Sequence, residues 1–156
     1  MAHIHDAIDF TVGALIIHGG RVLLVHHKEL DCWLPPGGHI ELDEDPDQAL
    51  FREIQEETGL TANDIEIISD QLPRESWPDG RKELFRPQWM DVHLISTSHR
   101  HIGLGYVVRA KTDVVKLADG EHRAIRWFRL EELKDPDLRV PPMVIRYAGE
   151  AIRVAS

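Results

Sequence analysis

Three glutamates in the middle of the chain, Glu53, Glu56 and Glu57, have the spacing of ligands for a metal ion. If their segment is helical, the i, i+3 and i+4 spacing places all three carboxylates on one stripe of the helix surface. Like charges so close together repel one another, and a bound cation would remove that cost. Carboxylate oxygens are the ligands that Mg²⁺ and Mn²⁺ prefer. Acidic stripes are also common on solvated helix faces, so the spacing alone leaves both interpretations open.

The residues around the stripe predict the helix itself. Asp45 is a favourable N-cap, Pro46 suits the first helical position, and Gln48 completes a capping box. Gly59 is typical of a helix end, because glycine adopts the left-handed conformation at little cost. The sequence therefore predicts a helix from Pro46 to Thr58. The side expected to face the core carries Leu50, Phe51, Ile54 and Thr58.

A glycine-rich loop precedes this helix. The four residues Pro35-Pro36-Gly37-Gly38 form a tight loop whose backbone can approach a ligand closely. After Gly38 come five residues, Glu44, seven residues and then the run REIQEETGL, which begins at Arg52. These 23 residues closely resemble the signature of the Nudix hydrolase family, with every fixed position filled.

The resemblance implies a fold and an activity. The expected fold is an α/β/α sandwich with a mixed β-sheet, formed as a single domain by residues 1–156. The expected activity is Mg²⁺- or Mn²⁺-dependent hydrolysis of a phosphoanhydride bond, in which water attacks phosphorus. The substrate would be a nucleoside diphosphate linked to another moiety, or a nucleoside triphosphate.

The resemblance also implies the roles of individual residues. Glu53, Glu56 and Glu57 would bind the metal ion together with the main-chain carbonyl of Gly37. Arg52 and Glu44 would form an ion pair that orients the stripe, since the guanidinium fork fits a carboxylate. These five charged side chains form the predicted catalytic set.

Several further roles involve residues outside this run. The general base would be a glutamate of the run or, outside it, Glu121 in a polar segment before the last strand. Trp77 would either stack on a nucleobase or cover the core. His99 and His101 would share one face of a strand, as surface residues or as donors to substrate phosphates. They also suggest a zinc site, although the sequence reveals no third ligand for it.

The identity of the substrate stays open at this stage. Pro73 and Pro78 flank, without occupying, the position of a proline found in relatives that act on ADP-ribose. Trp77 stands where dinucleoside polyphosphate hydrolases tend to have a tyrosine. A dinucleoside polyphosphate hydrolase and a catalytically silent nucleotide-binding module are therefore the alternatives.

Composition restricts the partners and the compartment. The chain has 156 residues, 42% of them hydrophobic and 29% charged, as in a soluble globular protein. Its net charge of −9 argues against a nucleic-acid polymer or a membrane as partner, because both attract basic surfaces. Cys32 is the one cysteine, so an intrachain disulfide is excluded and a cytoplasmic location is expected. The first residues lack the pattern of a secretion signal. A homodimer is compatible with the sequence, which does not specify an oligomeric state.

The remaining hydrophobic patterns predict strands and one more helix. Branched apolar residues predict a buried hairpin from residues 9–18 and 22–25. Further strands are expected at 65–69, 90–95, 102–110 and 124–128, and a C-terminal helix at 141–154. Strands, one helix, more strands and a final helix favour a mixed sheet between helices.

Overall fold

The structure is a computed structural model that describes residues 3–69, 74–118 and 120–156. Pro73, one of the two prolines considered above, lies outside the described residues. The strands are β1 (Ile8–His18), β2 (Arg21–His27), β3 (Cys32–Leu34), β4 (Gly37–His39), β5 (Ile65–Ile67), β6 (Trp89–Leu94), β7 (Arg100–Ala110) and β8 (His122–Phe128). The helices are α1 (Pro46–Thr58) and α2 (Pro142–Ala155).

The eight strands form one mixed sheet. Its longest path is β3-β2-β1-β7-β5, while β4 pairs with β1, β6 with β7 and β8 with β2. β1 and β7 run parallel over ten residue pairs, and the other pairings are antiparallel. The predicted α/β fold with a mixed sheet is therefore confirmed.

A hydrophobic core covers each face of the sheet. Alternate residues of β1 serve the two sides, because successive side chains of a strand point in opposite directions. Val12, Ala14 and Ile16 pack with α1 in one core. Leu15 and Ile17 pack with α2 in the other. The hairpin of β1 and β2 is thus covered on both faces as predicted, and each fully buried large aliphatic side chain stabilises the fold by about 1.5–3 kcal/mol.

The differences from prediction concern short or polar strands. β3 and β4 have three residues each and were not predicted, since no strand was assigned to residues 32–34 and residues 35–38 were expected to be a loop. Both exist through pairing with distant strands, β4 with β1 and β3 with β2. β7 and β8 begin two residues before the predicted positions, because the polar residues at their starts are paired within the sheet.

No helix in the three described segments has both the length and the apolar character needed to cross a membrane.

Candidate active site

The helix that carries the acidic stripe begins and ends as its sequence predicts. Asp45 Oδ1 accepts a hydrogen bond of 3.0 Å from the Gln48 amide, and Gln48 Oε1 accepts one of 2.9 Å from the Asp45 amide. Gly59 closes the helix with a φ of 74°, a left-handed conformation that favours glycine. These local interactions fix the ends of α1 and hence the positions of the glutamates along it.

Packing fixes the rotation of the helix about its axis. Leu50, Ile54 and Thr58 are buried against the sheet as predicted, and Phe51 is half-buried at the edge of the same core. The three glutamates of the neighbouring stripe differ in exposure: Glu57 is buried, Glu53 is half-buried and Glu56 is exposed.

Arg52 is the central cation among these acids. Its Nε and Nη2 contact the two carboxylate oxygens of Glu44 at 3.0 and 2.5 Å. Its Nη1 donates to Glu53 Oε1 at 2.9 Å and to Glu56 Oε2 at 3.2 Å. The hydrogen bond from Arg52 lowers the pKa of Glu44, and the same pairing raises the pKa of Arg52. A single guanidinium therefore connects Glu44 to two members of the stripe.

Glu53 has the most perturbed acid–base equilibrium of the stripe. Burial raises its pKa to about 7, Glu57 and Glu56 add to the rise, and Arg52 opposes it. One arginine thus only partly offsets the cost of placing this carboxylate among other acids. A divalent cation would offset it further.

The glycine loop contacts the stripe through β4. The Gly37 amide donates to Glu57 Oε2 at 2.9 Å. A methyl group on Gly38 would lie 2.2 Å from Glu53 Oε1. One on Gly37 would lie 2.1 Å from the carbonyl oxygen of Val12. Gly37 therefore requires glycine, because the backbone of β1 occupies the space a side chain would need, whereas a side chain at Gly38 would displace the Glu53 carboxylate.

Glu57 belongs to a second group of ligands that includes Glu121. Ligand atoms of Glu57, Glu121 and His122 lie within 4.8 Å of one another. His122 Nε2 is 2.6 Å from Glu57 Oε1, and Glu57 is only 8% exposed. The structure thus brings the predicted candidate Glu121 beside the stripe. His122 was not predicted, and its position next to Glu121 in the sequence was the available signal.

The atoms of this region that could bind a metal ion are mainly carboxylate oxygens, which suit Mg²⁺ or Mn²⁺. Each carboxylate oxygen offers two lone pairs, so the hydrogen bonds of Glu57 to Gly37 and His122 leave capacity for an ion. An open pocket of about 260 Å³ adjoins the group, and its lining includes Lys28 and Glu121. The residues present therefore fit a divalent cation beside a cavity.

Trp77 lies on a loop that is attached to the opposite end of α1. Arg74 Nη1 and the Phe85 amide donate to the Asp47 carboxylate at 3.0 and 3.1 Å. Glu57 is ten residues further along the helix, or about 15 Å of helical rise. Trp77 itself is 40% exposed. The loop that carries Trp77 is therefore attached to α1 far from Glu57.

The prediction that His99 and His101 are surface residues is wrong. They are 3% and 6% exposed, and both face a buried Asp9 on the sheet. Their alternation was identified correctly, but the face they share is covered by the segment before β1 and by the ring of His39. Burial lowers the pKa of His101 to about 4, so its ring is uncharged at neutral pH and offers no charge to a phosphate.

Comparison with known proteins identifies the family. The NUDIX domain model matches residues 8–145, and the chain belongs to the Nudix family. A hydrolase of the NUDIX family from Clostridium perfringens has the same fold, with a TM-score of 0.79 and 27% identity, covering 95% of this chain and 98% of that one. An Ap4A hydrolase from Caenorhabditis elegans, solved as a binary complex, gives a TM-score of 0.63 at 22% identity, covering 93% of each chain.

Curated relatives match over a shorter stretch. An RNA pyrophosphohydrolase from Pseudomonas putida is 41% identical over 65 residues, which are 41% of this chain and 41% of that protein. One from Teredinibacter turnerae is 45% identical over 66 residues, which are 41% of this chain and 39% of that protein. The chain thus spans about two fifths of the length of these relatives.

Proposed function

We propose that the chain is a Mg²⁺- or Mn²⁺-dependent pyrophosphohydrolase that cleaves a phosphoanhydride bond in a small nucleotide. The observation that carries the proposal is the arrangement of Glu53, Glu56 and Glu57 against the glycine loop, with Arg52 holding two of them. Such a group of acids is costly unless a cation shares it, and α1 and β4 together assemble it. Membership of the Nudix family supports the same reaction class.

The tasks proposed for individual residues combine their contacts with the roles that the family resemblance implies. Glu53, Glu56, Glu57 and the carbonyl of Gly37 would hold the ion, which when bound neutralises phosphate oxygens and acidifies a water molecule. Arg52, which is held by Glu44, keeps the carboxylates of Glu53 and Glu56 in position. Proton removal from the attacking water falls to Glu121 or to a glutamate of the stripe.

The substrate class proposed is a nucleoside diphosphate linked to another moiety, or a nucleoside triphosphate. Lys28, beside Glu121, contributes a cation to the lining of the adjoining pocket, which suits an anionic chain of phosphates. One relative is named an RNA pyrophosphohydrolase and one structural neighbour is an Ap4A hydrolase. An assay should therefore also include these two substrates.

A substrate panel tests the proposed function directly. ADP-ribose, diadenosine tetraphosphate, nucleoside triphosphates and an RNA with a 5′ triphosphate would be incubated with Mg²⁺ or Mn²⁺, and the products identified by chromatography. We expect metal-dependent release of a nucleoside monophosphate or of pyrophosphate from at least one small nucleotide. Ligand-induced stabilisation with no product from any compound would instead establish a silent binding module.

His122 is proposed as a positioning residue for Glu57. The change His122→Asn removes the contact at Glu57 Oε1, so the carboxylate should lose its orientation. We expect the Mg²⁺ concentration for half-maximal activity to rise about 10- to 100-fold, with little change in KM for the nucleotide. Steady-state assays over a Mg²⁺ series measure both quantities.

The matched control for this change is His18→Asn, a half-buried histidine whose Nδ1 lies 2.8 Å from the Ala110 carbonyl oxygen. A His122→Asn enzyme with a lower melting temperature but an unaltered Mg²⁺ requirement would reduce His122 to a packing role.

Trp77 is proposed to stack on the nucleobase of a bound substrate. Its partial exposure leaves the indole accessible, and stacking of this kind is worth about 1 kcal/mol or more per base. Trp77→Ala should therefore raise KM several-fold without changing kcat. The exposed residue Val114 provides the control Val114→Ala. An unchanged KM would assign Trp77 to loop packing.

A further inference from the structure

A separate group of side chains that could bind a metal ion lies around Asp9 and includes no glutamate of the stripe. It consists of Asp9 with His3, His39, His99 and His101, and it is called the histidine cluster below. The proposed hydrolase activity makes no use of it. Four of its members, Asp9, His3, His39 and His101, offer ligand atoms that lie within 4.8 Å of one another.

The sheet brings these residues together from distant parts of the sequence. Asp9 on β1 pairs with His101 on the parallel strand β7. His39 on β4 pairs with Thr11, two residues beyond Asp9 and therefore on the same face of β1. The segment before β1 completes the cluster, since the Ile4 and His5 amides donate to Asp9 at 3.1 and 2.6 Å.

Burial makes the arrangement costly without a cation. The Asp9 side chain is fully buried, and the Nε2 atoms of His39, His99 and His101 are buried with no hydrogen-bond partner among the described residues. Nε2 of His39 and Nε2 of His99 each lie within ion-pair distance of the Asp9 carboxylate. A buried polar atom left without a partner costs about 1–3 kcal/mol. Three such atoms around one carboxylate are therefore a strong indication of a missing common partner.

Distances within the cluster match the dimensions of a zinc site. Oδ2 of Asp9 is 3.5 Å from His3 Nδ1, 3.1 Å from His39 Nε2 and 3.3 Å from His99 Nε2. Tetrahedral zinc with bonds of about 2.0–2.1 Å separates its ligand atoms by roughly 3.4 Å. The Asp9 oxygen thus lies at ligand-to-ligand distances from His3 and His39, two of the other proposed ligands.

The environment of His99 defines its tautomer. Its Nδ1 lies 3.3 Å from the Asp6 carbonyl oxygen, which can only accept, so Nδ1 carries the hydrogen in a neutral ring. In that neutral ring Nε2 has no hydrogen to donate to the Asp9 carboxylate 3.3 Å away, and a cation bound nearby would relieve the contact between the two acceptors.

We propose that Asp9, His39, His101 and His3 bind one divalent transition-metal ion, with Zn²⁺ as the preferred ion and His99 adjacent to it. Imidazole ligands select zinc over magnesium, so this site differs in chemistry from the glutamate stripe. The ion joins the segment before β1 to β1, β4 and β7. β4 also carries Gly37, so the zinc site stabilises the strand from which the glycine loop contacts Glu57.

Metal binding to the protein without a polyhistidine tag tests the proposal. After chelation and dialysis, Zn²⁺ would be added and the retained metal measured by mass spectrometry. We expect one zinc per chain and a melting temperature several degrees higher, because the ion binds the folded state. The variants His101→Asn and Asp9→Asn should each weaken zinc binding at least tenfold.

Two controls separate this site from other sources of binding. His18→Asn removes a histidine outside the cluster, and Glu56→Gln removes an acid of the stripe; both should retain one zinc per chain. Retention of less than a tenth of an equivalent by the wild type, or loss of zinc in Glu56→Gln but not in His101→Asn, would overturn the proposal.

Cobalt substitution gives an answer that does not depend on the variants being folded. Co²⁺ in the wild-type protein should show the intense visible absorption of a tetrahedral site with nitrogen ligands. The weak absorption of an octahedral site, or none, would contradict the proposed coordination.

Discussion

Replacing Glu56 by glutamine is expected to lower metal-dependent turnover about a thousandfold while the fold is retained. Glu56 is the exposed member of the stripe, so the change removes a ligand charge without opening a core. A loss of about 4 kcal/mol of transition-state stabilisation corresponds to that factor. Turnover on the best substrate of the panel, at saturating Mg²⁺, provides the measurement.

The same helix offers the control for Glu56→Gln. Gln55 is also exposed, and Gln55→Ala should leave turnover unchanged. The unfolding free energy of Glu56→Gln should lie within about 0.5 kcal/mol of the wild type, as for other exposed substitutions. An enzyme that keeps full turnover after Glu56→Gln would refute the assignment of the stripe as a metal site.

The variant Gly38→Ala is expected to lower kcat about a hundredfold by moving Glu53. The new methyl group would lie 2.2 Å from Glu53 Oε1 and 2.6 Å from its Cδ, so the carboxylate must leave its position. Because the atoms that move are the end of a flexible side chain, the fold should tolerate the change. A displacement of this size in a catalytic group can cost about a factor of 100.

Gly13→Ala is a matched control, since β1 places Gly13 opposite Gly37 and nothing lies within 4 Å of the added methyl group. Its kcat and melting temperature should both equal those of the wild type. If Gly38→Ala reduced stability and left kcat intact, the close contact between loop and stripe would be structural only.

The sequence was most informative where structure is local. Helix α1 runs from Pro46 to Thr58 as predicted, because its ends depend on hydrogen bonds within four residues. The buried strand hairpin and α2 lie within two or three residues of their predicted bounds, since long apolar patterns determine them. The glutamate stripe follows from the same periodicity.

The remaining features depend on contacts between distant residues. His122 and Glu57 are 65 positions apart, and no pattern in the sequence connects them. His99 and His101 have an alternation typical of a half-exposed strand, but their face is covered by the segment near residue 6 and by the ring of His39. Asp9 on β1 and His39 on β4, the further ligands proposed for a zinc site, come close to His101 only through strand pairing, which no spacing in the sequence indicates.

The attachment of the loop before β6 has a consequence for how such a protein can diversify. Its anchors, Asp45 and Asp47, occupy the start of α1, where Lys82 contacts Asp45 at 2.6 Å and Arg74 contacts Asp47 at 3.0 Å. The stripe occupies the last two turns. Insertions or deletions between Arg74 and Lys82 would therefore leave the geometry of the acids unchanged, so that this loop can change in length and sequence independently of the stripe.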